Sequence, residues 1–344
     1  MKAVRIHTFG GSDTLRYEEC EEPPLSHPAN VRVKLFAAAV NRLDIDLRNG
    51  GAEQFSLPRI LGCDGAGRIE VIGREVKHLK PGDAVCIYPF TSCAQRDFCV
   101  VEDYDLCTRK RILSERESGT YAEYITLPAR SCFPVPLGFS FEQAAAFPLV
   151  YSTAWRLLMT QAKITPGETV LIRGIGGGIA IAALQIAASI GARLIVSSSS
   201  DEKLGKARAL GVELTINDRT MDLAKTVRSL TGKRGVDVVV DCIGGVEWVK
   251  SLAALSRGGR LVTCGAMAGP NPVADLRRIF WNHLKICGAS RATREDFRSL
   301  LKFFNLSWVK PIIETVCPLK EAAKAHELME SRRHFGKIVL RTDG

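Results

Sequence analysis

The 344-residue chain is too long for one ordinary hydrophobic core, so we expect two domains. A hydrophobic fraction of 46% and a charged fraction of 24% are ordinary globular values and exclude an extensively disordered chain. The net charge of +10 does not predict nucleic-acid binding, because the Lys and Arg residues are dispersed among acids rather than clustered.

The N-terminal residues and the number of cysteines indicate the cellular compartment. Residues 1–11 lack the apolar stretch behind a basic start that marks a secretion signal, so we expect a cytoplasmic protein. The 11 cysteines are then expected to be reduced thiols or metal ligands rather than disulfides. Residues 174–192 carry no charge and approach the length of a membrane span, but the glycines crowding their start argue against a membrane helix.

The first 130 residues predict a mostly-β domain. Short β-branched runs at 31–35, 68–72 and 84–87 are punctuated by Gly and Pro. A further strand is expected at 337–341, and we assign it back to this domain, so that residues 290–344 complete it.

From about residue 140 the pattern changes, and short apolar strands alternate with helices. We predict, in order, a strand at 169–172, a helix at 178–190, a strand at 194–196, a helix at 201–210, a strand at 236–241, a helix at 246–255 and a strand at 259–264. This alternation predicts an α/β domain with a doubly wound parallel sheet, which we assign to residues 131–289.

A glycine-rich segment, residues 173–178, joins the first of these strands to the first helix. We call it the glycine loop. Glycines permit a tight turn and let backbone N–H groups approach phosphates, while the helix N-terminus adds partial positive charge. The strand–loop–helix context predicts that a dinucleotide pyrophosphate binds at Gly174, Gly176, Gly177, Gly178 and Ile179.

The position that binds the adenosine ribose lies about twenty residues further on. NAD-specific proteins normally place a carboxylate there, but here Ser198 and Ser199 stand in a run of serines. The first acid, Asp201, is expected to cap the next helix. Serine hydroxyls with Lys203 suit a 2′-phosphate, so we predict NADP(H) as the cofactor, with NAD(H) as the alternative.

Six short segments elsewhere match motifs that occur together in one known family: LGCDGAG at 61–67, VIG at 71–73, PGDAV at 81–85, GTYAEY at 119–124, STAW at 152–155 and GKIVL at 336–340. With these, the chain resembles the medium-chain dehydrogenase/reductase superfamily over essentially its whole length. The resemblance implies a Rossmann domain plus a GroES-like catalytic domain, a hydride-transfer site, and a homodimer or homotetramer.

The resemblance places Asn41, Cys63 and Leu149 where zinc-dependent alcohol dehydrogenases hold catalytic zinc. Asn and Leu are poor zinc ligands, and one thiolate cannot complete a tetrahedral site, so we expect no catalytic zinc. Asn41 is instead similar to the zinc-free quinone and enone reductases. Cys63 and Leu149 are then expected to line a substrate pocket with Tyr88 and Phe90, although aromatic residues there are equally compatible with the core.

Further roles follow from the resemblance. Asp44 is the family's acid adjacent to the position of Asn41 and is expected to be a catalytic residue with Asn41, or else to cap the helix. Arg42 is expected to bind the cofactor pyrophosphate, or else to be a surface charge. Thr153 is expected to pack against the nicotinamide, or else to be a buried helix residue.

Two other residues, Gly265 and Lys337, are also assigned to the cofactor-binding set. Leu43 occupies the place of the hydroxyl residue that relays a proton in the zinc enzymes, so no route for alcohol oxidation is visible.

Cys93, Cys99 and Cys107 fall where many relatives bind a structural zinc with four thiolates. Arg96 stands at the remaining position, and Asp97 is a candidate fourth ligand. Zinc at an incomplete site and a loop held by packing alone both stay open.

These observations predict hydride transfer between NADPH and a small carbonyl, quinone or conjugated enone, with Asn41 donating a hydrogen bond to the developing oxyanion. A zinc-dependent alcohol dehydrogenase with atypical ligands is one alternative. A non-catalytic NADPH-binding sensor is another.

Overall fold

The computed structural model describes residues 1–51, 55–91, 111–115 and 117–342. Its strands, in chain order, are β1 (Lys2–Ile6), β2 (Leu15–Glu19), β3 (Asn30–Val40), β4 (Arg59–Ile60), β5 (Asp64–Ile72), β6 (Ala84–Ile87), β7 (Phe90–Thr91), β8 (Arg111–Ile112), β9 (Tyr124–Pro128), β10 (Cys132–Pro134), β11 (Thr169–Ile172), β12 (Arg193–Ser198), β13 (Leu214–Asn217), β14 (Val236–Val240), β15 (Leu255–Thr263), β16 (Lys285–Gly288), β17 (Ile313–Pro318) and β18 (Lys337–Arg341).

The helices alternate with strands mainly in the middle of the chain. They are α1 (Arg42–Arg48), α2 (Phe141–Ala146), α3 (Pro148–Trp155), α4 (Gly178–Ile190), α5 (Asp201–Ala209), α6 (Leu223–Leu230), α7 (Trp248–Ala254), α8 (Leu276–Trp281), α9 (Arg294–Leu306) and α10 (Ala322–Glu330). A π-helix over Arg156–Ala162 continues α3. Within the described ranges no helix is long and apolar enough to cross a membrane.

The contacts divide the chain into two units, Met1–Leu149 with Thr293–Gly344, and Val150–Ala292. Residues 131–149, which the sequence places with the second domain, lie in the first unit. The reason is visible at α2, where Phe141 stacks on Phe36 of β3 with 4.8 Å between ring centroids. The predicted boundaries of independently folding domains stay a prediction.

The first unit is built on a seven-stranded sheet in the order β10-β6-β5-β3-β18-β17, with β9 also paired to β3. A smaller sheet has the order β2-β1-β4. In β3 the side chains alternate in burial along the first half, as expected for a strand with one face on the core. Because β5 and β18 flank β3, Ala39 pairs with Asp64 and Val40 with Ile338. This register brings residues 41, 64 and 337 close together, at the end of β3 and the starts of β5 and β18.

The second unit is a six-stranded parallel sheet in the order β13-β12-β11-β14-β15-β16. This is the doubly wound order, and the predicted α/β domain with a doubly wound parallel sheet is confirmed. Strands β11 and β14 are buried at every residue, which explains why they are continuous apolar runs in the sequence. The crossing point of the winding lies between β11 and β14, directly before the glycine loop.

Two strands of this sheet have no counterpart in the sequence-based prediction. In β13 only Ile216 is buried, so no apolar run marks the strand. The outer strand β16 exposes most of its residues, including Ile286, and is too short and polar to be recognised. Predicted strand and helix ends elsewhere differ from the observed ones by a few residues, because fraying ends carry little sequence signal.

Candidate active site

The end of β3 and the starts of β5 and β18 bring four side chains of the first unit together: Asn41, Cys63, Asp64 and Lys337. We call this group the Asn41 cluster. All four side chains are buried, with Lys337 only 2% exposed. A buried ammonium group must be fully hydrogen-bonded to avoid a large desolvation cost, so its partners determine what the cluster can do.

Lys337 uses its three N–H donors inside the unit. Its Nζ lies 2.5 Å from Asn41 Oδ1, 3.0 Å from the Val40 carbonyl oxygen and 3.3 Å from Asp64 Oδ2. The sequence assigns Lys337 to the cofactor-binding residues. These three contacts are those of a residue that positions Asn41, while a contact of Lys337 with the cofactor stays a prediction.

The contacts on both sides of the Asn41 amide set its orientation. Its oxygen accepts from Lys337, and its Nδ2 donates to Asp64 Oδ2 at 2.9 Å. Among the described residues, the second N–H has only longer contacts, 3.3 Å to the Ala39 carbonyl oxygen and 3.5 Å to Cys63 Sγ. Asn41 therefore has one donor that a better acceptor can capture.

Asp64 is a site residue that sequence reasoning missed. Its carboxylate accepts from Asn41, from Lys337 and from the backbone N–H of Leu149, which lies 2.8 Å from Oδ1. Burial raises the pKa of Asp64, while the Lys337 ammonium beside it opposes that shift. The available signal was the acid directly after Cys63, at the position that follows the zinc-ligating residue in the family pattern.

Asp44 lies at the third residue of α1, where its carboxylate can cap the helix. Its Oδ2 accepts from the Asn41 backbone N–H at 2.8 Å and from the Tyr121 hydroxyl at 3.0 Å. This is half of a capping box and matches the capping alternative. Its Oδ1 is buried and has no hydrogen-bond partner among the described residues. Burial raises the pKa of Asp44 to about 7.

A chain of buried hydrogen bonds extends from Asp44. The Tyr121 hydroxyl lies 3.1 Å from His326 Nε2, and Arg48 Nη1 lies 3.2 Å from His326 Nδ1. Burial, with the Arg48 charge, lowers the pKa of His326 to about 3, so the ring is neutral. Because arginine only donates, Nδ1 accepts, Nε2–H donates to Tyr121, and Tyr121 donates to Asp44.

The predicted pocket aromatics lie in an aromatic cluster of the first unit. Tyr88 and Phe90 are buried and meet edge-on with 5.3 Å between centroids. Tyr88 also contacts Phe297 at 5.2 Å and Phe133 at 6.0 Å. These contacts fit the core alternative, and a pocket-lining role stays a prediction.

Arg42 lies on the exposed side of α1. It forms an ion pair with Asp46 at 3.1 Å, one turn further along the helix. This contact fits the surface-charge alternative, while a contact with the cofactor pyrophosphate remains a prediction.

In the second unit, the glycine loop follows β11 as predicted. Gly177 caps α4, and Gly178 and Ile179 begin that helix. Gly174 and Gly176 have φ of +67° and +118°, a region that side chains rarely adopt.

Lys203 lies across this loop, although 27 residues separate it from Gly176. A Cβ added at Gly176 would lie 2.7 Å from Lys203 Cδ and 3.0 Å from its Nζ. The structure therefore brings two predicted cofactor-binding residues together, and it places a cation beside the glycine turn that precedes α4. These features fit a dinucleotide pyrophosphate.

The predicted ribose-binding serines stand at the carboxyl end of β12. Ser198 ends the strand and its hydroxyl accepts from the Ser200 backbone N–H, while Ser199 is exposed. Ser200, rather than Asp201, caps α5, because its Oγ accepts from the Lys203 N–H. Thus no carboxylate occupies the end of β12, and Asp201 lies in the first turn of the helix.

Arg173, the first residue of the glycine loop, is buried and holds the loop to the sheet. Its guanidinium lies 3.4 Å from Asp218 Oδ2 and 3.6 Å from Asp241 Oδ2, and it donates to Ser251 Oγ at 3.0 Å. Asp218 follows β13 and also accepts from the Ser197 hydroxyl. Sequence reasoning missed these acids because it looked for one only after β12.

The two other predicted cofactor residues lie at different depths. Thr153 is buried in α3, and Gly265 is exposed directly after β15. Both placements leave their predicted roles untested.

Comparison with known proteins agrees with this geometry. Two family models match: the alcohol dehydrogenase GroES-like domain at residues 27–137 and the zinc-binding dehydrogenase at residues 178–305. A zinc-type alcohol dehydrogenase-like protein of Schizosaccharomyces pombe is 32% identical over 97% of each chain. Quinone oxidoreductase of Sus scrofa is 29% identical over 99% of this chain and 97% of its own. A solved NAD-dependent alcohol dehydrogenase is 39% identical, with a TM-score of 0.95 over 99% of both chains.

The chain belongs to the medium-chain dehydrogenase/reductase superfamily. The family predicted from the sequence motifs is confirmed, and so is the prediction of an NAD(P)-dependent type of oxidoreductase. Its relatives include both alcohol dehydrogenases and quinone oxidoreductases.

The donor set of this dehydrogenase/reductase does not fit a catalytic zinc. Cys63 supplies a single sulfur, which cannot complete a tetrahedral zinc site on its own. The Asn41 oxygen is bonded to the Lys337 ammonium, and Leu149 has no donor atom on its side chain. In the described part of the chain, no group of three or more His, Cys, Asp or Glu side chains is arranged to hold a metal ion.

The predicted structural-zinc residues Cys93, Cys99 and Cys107 lie outside the described residues. Their metal occupancy stays a prediction.

Proposed function

We propose that this dehydrogenase/reductase transfers hydride between NADP(H) and a small carbonyl, quinone or conjugated enone, without catalytic zinc. The bound nicotinamide nucleotide supplies the hydride chemistry. The observation that supports the substrate class is the Asn41 cluster, which presents an amide held by Lys337 and Asp64 at the position of the zinc ligands. Substrates that delocalise the developing negative charge need a hydrogen-bond donor more than a Lewis acid.

In this proposal Asn41 donates its weakly bonded N–H to the substrate oxygen. Lys337 and Asp64 act through Asn41, because their bonds to opposite ends of the amide prevent it from flipping. Asp44 fixes the backbone of Asn41 at the start of α1. Cys63, whose Sγ lies 3.5 Å from this amide, and Leu149, which packs against the same core cluster as Cys63, are proposed to line the substrate side with Tyr88 and Phe90.

The nucleotide preference rests on the end of β12. Ser198 and Ser199 offer hydroxyl groups where a carboxylate would repel a 2′-phosphate, and Lys203 lies across the glycine loop. These features favour NADP(H). The 39% identity to an NAD-dependent alcohol dehydrogenase favours NAD(H), which is the alternative.

We also propose that the enzyme assembles as a homodimer or homotetramer. Strand β16 forms an edge of the parallel sheet, and its Ile286 is 42% exposed. The preceding helix α8 exposes Phe280 and Trp281 at 64% and 67%. An open sheet edge beside large exposed apolar side chains suits association with a second copy.

A cytoplasmic location stays a prediction, and it is supported by the thiols. All eight cysteines in the described ranges are free.

The activity is tested by following NADPH and NADH oxidation with a panel of quinones, enones and aldehydes. We expect turnover on at least one class, and in Asn41→Ala a kcat lower by about 100-fold, the loss typical of removing one oxyanion donor. The control Asn305→Ala removes an exposed amide and is expected to keep the wild-type rate. Nucleotide binding without turnover on any substrate would indicate a sensor, and loss of activity on chelation that zinc restores would indicate a zinc enzyme.

A further inference from the structure

Two cysteines of the second unit lie side by side at the carboxyl edge of the parallel sheet. Strands β14 and β15 are parallel neighbours, with Val240 opposite Val262. Two residues beyond this pair, the chain places Cys242 and Cys264, and their Sγ atoms are 3.2 Å apart. Both cysteines are free and half-buried.

We propose that Cys242 and Cys264 form an oxidation site at which a peroxide-class oxidant produces an intramolecular disulfide. The sulfur atoms must approach by about 1 Å to reach the bond length of about 2.05 Å. Neighbouring strands lie about 4.8 Å apart, within the Cα separation of about 4.4–6.8 Å that disulfides require. The bond therefore needs a local adjustment of the two loops, not a rearrangement of the sheet.

The environment of the pair distinguishes the roles of the two thiols. Hydrogen bonds from the side chain and backbone of Cys264 lower the pKa of Cys242, whereas the same contact raises the pKa of Cys264. A thiolate at Cys242 is therefore stabilised by the neighbouring thiol, and either sulfur can be the donor in this hydrogen bond. By contrast, burial raises the pKa values of Cys63, Cys86 and Cys132, which makes those thiols poor competitors.

The reaction has two steps. The Cys242 thiolate attacks one peroxide oxygen, the O–O bond breaks, and the products are a sulfenic acid at Cys242 and hydroxide. The Cys264 sulfur then attacks the Cys242 sulfur and displaces that oxygen, which leaves as water with the Cys264 proton. In total, two thiols are oxidised by two electrons, and one hydrogen peroxide is reduced to two waters.

The site adjoins the glycine loop through the next residue. Ile243 follows Cys242, and a Cβ added at Gly174 would lie 3.3 Å from Ile243 Cδ1. Gly265, a predicted cofactor residue, directly follows Cys264. Because disulfide formation draws together the backbone segments that carry Ile243 and Gly265, we expect it to weaken nucleotide binding at least fivefold. This part rests on the proposed function.

The chemical step is tested by treating the reduced protein with one equivalent of hydrogen peroxide, alkylating the remaining thiols and mapping tryptic peptides. We expect peptide 235–250 linked to peptide 261–277, and release of the link by dithiothreitol. Cys242→Ser and Cys264→Ser should each abolish the linked pair. Cys287→Ser, a half-buried thiol on the adjacent strand β16, should leave it unchanged. Full alkylation of both cysteines after peroxide would overturn the site.

The coupling is tested by calorimetry with NADPH and NADH on reduced, oxidised and re-reduced protein. Weaker binding that dithiothreitol restores supports the coupling, and equal affinity of the disulfide form overturns it. A reduced protein that binds neither nucleotide would refute both the proposed function and the coupling. The oxidation site is tested separately, by whether the linked peptide forms.

Discussion

Three buried ionisable side chains lie around Asn41: Asp44, Asp64 and Lys337. Each needs hydrogen-bond or charge partners to offset the cost of its burial. Lys337 and Asp64 form a direct ion pair beside the Asn41 amide, while Asp44 is buried with one oxygen unpartnered among the described residues. The carboxyl groups of Asp64 and Asp44 therefore have different kinds of partner. Asp64 has a cation within hydrogen-bond distance, whereas Asp44 relies on neutral donors from Asn41 and Tyr121.

Replacing Lys337 by Met should destabilise the protein by about 3–5 kcal/mol, because Asp64 would be left as a buried charge without its partner. Lys302→Met, at an exposed position on α9, is the control and should change the free energy of unfolding by less than about 0.5 kcal/mol. Denaturant unfolding measures both. Equal stability of the two variants would show that Lys337 does not neutralise Asp64.

Asp44 predicts a pH dependence of stability. Its pKa is about 7 in the folded protein and near its ordinary value of 3.8 when unfolded, so the folded state binds the proton more tightly. The contribution of Asp44 to the free energy of unfolding should therefore fall as pH rises from about 4 to 7, by at most about 4 kcal/mol.

Asp44→Asn should remove this decline, since the amide does not titrate. The measurement is the free energy of unfolding at pH 4.5 and 7.5 for both proteins. The other charged groups that act on Asp44, namely Asp64 and Lys337, are retained in the variant, so parallel pH profiles would contradict the raised pKa.

At the scale of elements, the glycine loop shows what could be read from the sequence. The strand–loop–helix order and the positions of Gly174 and Gly176 were recognisable, because the conformation is local. The contact of Lys203 with Gly176 depends on how α5 packs beside β12, and no periodicity reveals it. The same holds for the Tyr121–His326 contact, which joins residues 205 positions apart.

Gly176→Ala should weaken nucleotide binding at least tenfold, because its φ of +118° and the Lys203 side chain both exclude a Cβ. The matched control is Gly205→Ala in α5, where nothing lies within 4 Å of an added Cβ. That variant should bind nucleotide normally and be more stable by about 0.5–1 kcal/mol. Calorimetric titration and denaturant unfolding decide both, and normal affinity in Gly176→Ala would contradict the loop's role.

At the scale of the whole molecule, the fold class could be predicted because short β-branched runs in the first 130 residues give way to alternating strands and helices. The contacts around the proposed donor Asn41 could not, because the Asn41 cluster depends on the register of β5, β3 and β18, which pairs residues nearly 300 positions apart. Motifs gave Asn41 and Cys63 as candidates. They did not reveal that Lys337 lies between Asn41 and Asp64.

The proposed assembly predicts a solution mass of at least twice the chain mass of 37.6 kDa. The double variant Trp281→Glu with Ile286→Lys should shift the protein toward monomer, because it places charges on the exposed edge of the sheet. Trp308→Glu, at a fully exposed position in the first unit, is the control and should leave the mass unchanged. Light scattering after size exclusion makes the measurement, and a monomeric wild type would refute the assembly.

The central claim is that the glycine loop after Ile172 binds the diphosphate of a nicotinamide nucleotide. Calorimetric titration of the reduced protein with NADPH and NADH tests it most directly. We predict one equivalent of nucleotide bound per chain, with NADPH the tighter ligand. NADH bound at least tenfold tighter would reverse the preference, and no association of any oxidised or reduced form at millimolar concentration would contradict the claim itself.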